Sequence, residues 1–288
     1  MTAASHFPIT IALLVCVAGG CRLFPGETMA KGQSPLKPAQ PSPDSVAMEI
    51  IWARFPANDP VIGDAAWREI DETQIEPSVR RELLNNGIRA GVIGSVVPDA
   101  IDHVLHQRDS TPDAGQSHRT KKNADLTTEP IVHGHILRAR RNQRTDIQAS
   151  EEYSSMPLLV SGDAELGGHT YLQAKAVYCL RVDPRPDRTA LVELTPEIQH
   201  GTPRLRFTTG DDGILKQASL NERKVFDQLQ LSVRLAPGEM LVLMSLPDSG
   251  SRLGHYFHTV DSADGPQQKL IVIRLAQVPP SDTFATKP

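Results

Sequence analysis

The chain has 288 residues, enough for one large domain or two smaller ones with their own hydrophobic cores. Its formal net charge is −4, which gives no electrostatic reason to expect nucleic acid as a partner. Aromatic residues make up 5% of the chain, which argues against a broad surface for stacking bases or sugars.

The chain begins with a short apolar run at residues 7–18. As a helix these residues would span about 18 Å, well below the ~30 Å of a hydrocarbon core. That length favours the core of a signal peptide over a transmembrane anchor. Small residues follow at once, because Ala18, Gly19 and Gly20 come directly before Cys21.

Residues 1–21 therefore resemble a bacterial lipoprotein signal peptide, in which small residues precede a cysteine that is lipidated and becomes the first residue. Two departures are Ala18, where Leu or Val is usual, and the absence of Lys and Arg before the apolar run. The resemblance implies that residues 1–20 are removed and that Cys21 anchors the protein to a membrane of the cell envelope, facing the periplasm or the exterior. Simple cleavage, with Cys21 unmodified, is the alternative.

The remaining sequence is divided by composition and periodicity. Residues 21–45 are rich in Pro, Gly, Ser and Lys, which predicts a disordered tether. Residues 46–106 alternate strand and helix patterns, including a helix that starts at Pro77 and ends before Gly87, and predict a small α/β module. Residues 107–129 are polar and predict a linker, and residues 279–288 predict a disordered tail.

Residues 130–278 change to a period of two, which is typical of half-buried strands. About nine strands, joined by polar turns with no clear helix between them, predict a mainly antiparallel β sandwich or barrel-like domain. The last two strands are expected at residues 255–260 and 269–278. The predicted fold class is thus α+β: a small α/β module followed by the β-rich domain.

Two segments of this β-rich part carry a second resemblance. The strand of residues 192–198 contains Pro196, and residues 235–246 place a Pro-Gly turn before an apolar strand. Together they resemble the β domain of secretins and of related secretion or pilus-assembly components. The resemblance covers about 100 residues and implies a role in secretion. The chain is short for a pore-forming secretin and has no evident amphipathic membrane-spanning hairpins.

The search for chemistry gives few candidates. No nucleophile-elbow, P-loop, His-Glu-x-x-His or Cys-x-x-Cys motif occurs, so no catalytic residue and no cofactor is predicted. His133 and His135, two apart on one strand face, are the candidate metal ligands, to which His255 and His258 could add if the strands pair suitably. The favoured explanation of the first two histidines is a half-exposed strand that holds no metal. A cluster of arginines is expected to be solvated or to dock an acidic partner: Arg138, Arg140, Arg141 and Arg144.

Three functions stay open. The leading hypothesis is a non-enzymatic envelope lipoprotein that acts as a scaffold or assembly component and has envelope proteins as partners. The second is an exported binding module for a small molecule or glycan, which predicts a concave pocket with convergent polar groups. The third is a metal-dependent hydrolase that uses His133 and His135, which predicts tightly bound zinc.

Overall fold

A computed structural model describes residues 44–57, 62, 66–106, 132–162, 166–209, 215–262 and 265–279, without the side chains of residues 106, 205–220 and 262. The predictions about the signal peptide, Cys21, the tether and the linker lie outside these residues. The described strands are β1 (Ser45–Pro56), β2 (Ile88–Ile93), β3 (Val132–Arg140), β4 (Thr145–Gln148), β5 (Tyr153–Ser161), β6 (Leu166–Pro184), β7 (Ala190–Thr209), β8 (Leu215–Val225), β9 (Leu231–Leu235), β10 (Met240–Ser245), β11 (Thr259–Ser262) and β12 (Gly265–Gln277). The described α-helices are α1 (Pro77–Asn85), α2 (Asp99–His106) and α3 (Leu253–His258), and one 3-10 helix spans Asp227–Leu229.

The strands form two sheets, and within each sheet every pair of neighbouring strands is antiparallel. In the first sheet the order is β2-β10-β12-β1-β3, with β11 added alongside β12. In the second sheet the long strands β6 and β7 lie at the centre. Strands β4 and β5 pair along one edge of β6, and β8 and β9 pair along the outer edge of β7. This arrangement confirms the prediction of a mainly β, antiparallel fold.

The two sheets share one hydrophobic core. Alternate residues of a strand point to the same face, so β1 directs Met48 and Ile50 into this core. The second sheet contributes side chains such as Tyr178 and Leu180 of β6, which are fully buried in the same cluster. Burial of apolar surface between the sheets is therefore the main stabilising contribution to the fold.

The opposite face of the first sheet is also covered. Trp67 and Ile70, together with Ile101 of α2, pack in a second cluster against Ile51 and Val272 of the sheet. Strands β10 and β12 are consequently buried on both faces. Every residue of β10 is accordingly buried, which explains why this strand is a continuous apolar run.

The structure does not confirm a separate small α/β module. Strand β1 lies between β12 and β3, and β2 pairs with β10, so strands from residues 46–106 share a sheet with strands from residues 130–278. Local periodicity identified β1 and β2 as strands, but it carries no information about which distant strand each one meets.

Helix α1 agrees with its prediction: it begins at Pro77, and Gly87, just beyond its end, has φ +78°. The strand predicted from His255 to Val260 is wrong, because this segment contains helix α3 and β11 begins only at Thr259. Such a short apolar segment is compatible with the period of a helix and with that of a strand. Helix α3 buries Leu253 and Phe257, which lie four residues apart on one helix face. Among the described residues, no helix is long and apolar enough to cross a membrane.

Candidate functional site

The inner face of the first sheet changes from apolar to polar near one end of β1 and β12. Along β1 this face passes from Ile50 through Trp52 to Arg54. Along β12, Ile271 lies opposite Trp52 and Lys269 lies opposite Arg54. Because directly paired residues of antiparallel strands share a face, the two polar positions stand side by side.

The neighbouring strands continue this polar level. His133 of β3 lies opposite Trp52, and His135, two residues further along, is on the same face. On the other side of β12, Val260 of the short strand β11 is paired with Gln267, two residues from Lys269, and Thr259 and Asp261 complete the lining at this edge. Strands β1, β3 and β12 therefore place polar side chains on one surface at the same end of the sheet.

A groove lies over this surface, with the connection between β4 and β5 as its other wall. The cavity has a volume of about 540 Å³, within the range of about 300–1,000 Å³ typical of sites for small molecules. The wall from the β4–β5 connection carries the following residues: Gln148, Ala149, Ser150, Glu151 and Tyr153. Both sheets therefore form the groove. It lies where their inner faces are no longer part of the apolar core.

Trp52 organises the histidine side of the groove. Its ring stacks on the His133 imidazole, with centroids 4.9 Å apart and planes within 7°, and on the His135 imidazole, at 5.4 Å and 18°. The indole Nε1 donates a hydrogen bond of 3.0 Å to the carbonyl oxygen of Gln148. The tryptophan is 7% exposed whereas both histidines are exposed, so it orients the two imidazoles and ties the floor of the groove to its wall.

Lys269 is a charged residue held in the floor of the groove, with only 8% of its surface exposed. Its ammonium group donates a hydrogen bond to the carbonyl oxygen of Ala149, in the opposite wall. Burying an ammonium group is costly unless polar groups surround it. Lys269 therefore has a higher free-energy cost of burial than an apolar residue would have at this position, next to the buried Ile271 on the same face of β12.

Beneath Lys269 lies a fully buried histidine, His258. Its Nδ1 is 2.9 Å from the carbonyl oxygen of Lys269, and its Nε2 is 2.8 Å from the hydroxyl of Tyr178. A carbonyl can only accept, so Nδ1 donates the proton and Nε2 accepts from the tyrosine. Burial, together with the charge of Lys269, lowers the pKa of His258 to about 3. This neutral imidazole fixes the β12 backbone at the groove.

The carboxylates of the groove lie close to Tyr153. Burial raises the pKa of the Tyr153 phenol, and the charges of Asp261 and Glu151 add to this rise. The Tyr153 ring also meets Tyr256 edge-on, with centroids 5.3 Å apart. Tyr153 is therefore held beside the acidic part of the groove.

The predicted metal ligands His133 and His135 come together in this groove. His258 does not join them, because both of its ring nitrogens are engaged in buried hydrogen bonds, and His255 lies with it on α3. Among the described residues, no group of three or more His, Cys, Asp and Glu side chains is placed to hold a metal ion. Zinc sites use three or four protein ligands, so the two-histidine metal site stays a prediction.

The arginine cluster lies elsewhere and is divided among ion pairs. Arg144 makes a bidentate pair with Glu197, with both N–O distances 2.6 Å, and a further contact of 2.8 Å with Asp146. The hydrogen bonds that Arg144 donates to Glu197 raise the pKa of Arg144. Arg141 pairs with Asp183 at 3.4 Å, whereas Arg138 and Arg140 are exposed. At least half of this cluster therefore takes part in contacts within the fold.

The sequence analysis did not assign Trp52, Arg54, Lys269 or Tyr153 to a site. The signal that could have identified Lys269 is a charged residue at the start of a continuous apolar run. Its partner across the sheet could not be read in the same way, because residues 54 and 269 are far apart in sequence.

The sequence matches no model of a known protein family, and no curated protein or solved structure matches the chain. Functional conclusions therefore depend on the geometry of the groove and on the sequence patterns described above.

Proposed function

We propose that this chain is an exported binding protein with a sandwich-like β body, anchored to a membrane of the cell envelope through lipidated Cys21. Its groove holds a small polar molecule or one unit of a glycan. The observation that carries the proposal is a cavity of about 540 Å³ in which polar side chains from both sheets converge. A scaffold that uses a flat surface has no need of such a cavity.

The chemistry of the lining supports a polar ligand with some apolar surface. Trp52 and Tyr153 supply aromatic edges, Arg54 and Lys269 supply donors, and Asp261 supplies acceptor oxygens. All of these residues belong to paired strands: β5 and β11 are hydrogen-bonded to one neighbouring strand each, whereas β1 and β12 have neighbours on both sides. Side chains on such rigid elements keep their geometry before the ligand arrives, which reduces the entropic cost of binding.

Filling the groove tests this function. Val260 lines the cavity and is paired with Gln267, so it shares the face of Lys269. In the Val260→Trp variant an indole enters the cavity, and we expect loss of any small molecule that copurifies with the full-length protein from bacterial envelopes. Native mass spectrometry measures the retained ligand. Ser232→Trp, at an exposed position of β9, is the matched control and keeps it. A ligand retained equally by both variants, or the absence of a ligand from wild-type protein under all conditions, would contradict the proposal.

The anchor has its own test, independent of the groove. The intact mass of the mature protein is expected to include a lipid on an N-terminal Cys21. The Cys21→Ser variant is expected to leave the membrane fraction. A variant that fractionates with membranes as the parent does, or a native product recovered whole from the cytosol, contradicts the anchor.

A second candidate function is the envelope scaffold or assembly component. The observation in its favour is the β5–β6 hairpin, whose residues 153–161 and 166–174 include no charged side chain. Leu166 and Leu172 are exposed by 60% and 62%. Exposed apolar side chains grouped on one surface mark interaction sites, and the resemblance to secretin-type domains suggests envelope proteins as partners.

Crosslinking in membrane extracts distinguishes the two functions. If the hairpin holds a partner, the double variant Leu166→Lys, Leu172→Lys loses the crosslinked product while Val260→Trp keeps it. Recovery of the monomer alone from crosslinked wild-type cells would dispose of the scaffold.

A further inference from the structure

We propose that the folded body contacts anionic lipid headgroups through the β3 patch, an exposed row formed by Ile136, Arg138 and Arg140. This inference rests on the proposed anchor at Cys21 and adds the surface of the body that meets the membrane. The open face of the sheet, the local charge and the place where the chain enters the sheet support it.

The outer face of the first sheet is covered over only part of its length. Alternate residues of β3 share this face, which passes from Val132, buried in the cluster with α2, to Ile136, which is 68% exposed. Arg138 and Arg140 continue the same row and are exposed. Next to the row, β1 places Glu49 opposite Ile136. The β3 patch is therefore an exposed surface with basic and aliphatic side chains.

Positive charge is in excess around the patch. Asp183 pairs with both Arg141, at 3.4 Å, and Arg185, at 3.3 Å, so two arginines share one carboxylate. Glu49 is paired with Arg274 at 3.4 Å. Within the described part of the chain, neither arginine of the patch takes part in an ion pair. This surface is therefore complementary to an anionic partner, although the whole chain has a net charge of −4.

The chain enters the first sheet beside the same patch. Ser45, the first residue of β1, lies opposite Arg140, and the Arg141 amide donates a 2.7 Å hydrogen bond to the Asp44 carbonyl. The Asp44 carboxylate reduces the local excess of positive charge without cancelling it. Because only a short segment separates this point from Cys21, a lipid on that cysteine keeps the patch within reach of the bilayer surface.

The composition of the patch suits the headgroup region of a membrane. Each basic residue close to an anionic membrane increases binding by about five-fold, and an aliphatic side chain beside it gains by burial at the boundary with the acyl chains. Two arginines bind weakly by themselves. The anchor makes the contact persistent, because it raises the effective concentration of lipid at the patch.

Vesicle binding tests the inference without the acyl chains. The full-length Cys21→Ser protein is mixed at low ionic strength with vesicles of phosphatidylcholine, or of phosphatidylcholine and phosphatidylglycerol in equal amounts, and sedimentation measures the bound fraction. We expect preferential binding to the anionic vesicles. Arg138→Gln combined with Arg140→Gln is expected to weaken this binding by about 25-fold. Arg223→Gln combined with Lys224→Gln removes the same charge from an exposed part of β8 and is expected to keep it.

A fluorescence measurement shows whether the patch itself meets the lipid. In the Ile136→Trp variant, brominated acyl chains in the anionic vesicles are expected to quench the new indole. Leu172→Trp, at a position that is 62% exposed on the second sheet, is the control and is expected to escape quenching. The parent protein gives the background, because its two tryptophans are buried.

The outcomes separate this inference from the proposed anchor. Equal binding to neutral and anionic vesicles, undiminished binding of the patch variant, or quenching at position 172 instead of 136 overturns the lipid contact. Dimers that form through the patch in the absence of vesicles also overturn it, because a second copy is then the occupant. An intact mass without a lipid contradicts the anchor alone, since the vesicle measurements use unlipidated protein.

Discussion

His258 makes the stability of the protein depend on pH, because it is neutral when folded and fully buried. Its folded pKa of about 3 lies below the ordinary value of 6.5, so the unfolded chain binds a proton that the folded chain does not. Stability is therefore complete above pH 6.5 and falls as the pH decreases toward 3. The contribution lost approaches about 1.4 kcal/mol per pH unit.

We expect the free energy of unfolding in urea to decrease between pH 6.5 and pH 5. In the His258→Gln variant this decrease is expected to be smaller, by up to about 1.4 kcal/mol per pH unit. Urea titrations at pH 7, 6, 5.5 and 5 measure the difference. The same dependence on pH in both proteins would mean that other groups cause it.

A second residue-scale prediction concerns the ion pair between Arg144 and Glu197. The side chain of Glu197 is 3% exposed, so Arg144→Met leaves a buried carboxylate without its cation. We expect a loss of about 3 kcal/mol in the free energy of unfolding, measured by urea denaturation. The exposed pair of Arg234 with Asp187 provides the control, and Arg234→Met is expected to leave stability unchanged. Equal effects of the two variants would show that burial does not matter here.

At the scale of elements, the end of α1 crosses the start of α3 at two glycines. A Cβ atom on Gly254 would lie 1.8 Å from the carbonyl oxygen of Gly87, closer than any van der Waals contact. The same crossing is held by a 2.9 Å hydrogen bond from the Gly254 amide to the Asn86 carbonyl. The two helices can approach this closely because neither glycine has a side chain.

Gly254→Ala is therefore expected to separate α1 from α3 and to lower the free energy of unfolding by about 3 kcal/mol. Gly94→Ala is the matched control, since a Cβ atom there meets nothing within 4 Å. Thermal unfolding followed by circular dichroism compares the two variants. Equal midpoints in both would mean that the backbone moves apart at little cost.

Local signals in the sequence predicted most elements but few of their contacts. Gly87 was predicted as a helix terminator from its position alone, whereas its contact with Gly254 depends on a crossing between distant segments. Asn86 directly follows the last residue of α1, and its side-chain amide donates to the Ser161 carbonyl at 3.0 Å and accepts from the Ser161 amide at 2.9 Å. Such long-range contacts are fixed by the packing of the whole chain, and no local period encodes them.

The candidate site was predictable to a similar extent. His133 and His135 were identified because alternation puts them on one face. Their assembly with Lys269 required the pairing of β1 with β12, strands that lie more than 200 residues apart in the chain. Pairing at such separation is selected by the core as a whole.

At the scale of the whole molecule, β1 connects the two ends of the described chain. It lies between β12 and β3, and its inner face joins the core shared with the second sheet. Removal of any one of these strands would expose the apolar residues of its neighbours. Residues 44–279 are therefore expected to unfold as one cooperative unit, although the sequence predicted two parts.

Urea unfolding monitored in two ways tests this cooperativity. Fluorescence of Trp52 and Trp67 reports the segment that was predicted as a separate α/β module, and far-ultraviolet circular dichroism reports the strands of both sheets. We expect the two transitions to have the same midpoint. A fluorescence transition that clearly precedes the loss of circular dichroism would contradict a single unit.

The antiparallel pairing of the first and last described strands also determines how the protein can be attached to a surface. Ala47 lies opposite Gln277, whereas the groove is formed at the far ends of the same two strands, around Arg54 and Lys269. Seven residues of strand correspond to about 23 Å. Immobilisation on a sensor chip at the end of the strands that holds Ala47 and Gln277 should therefore leave the groove open to the flowing solution. Ligand binding can then be measured on captured protein.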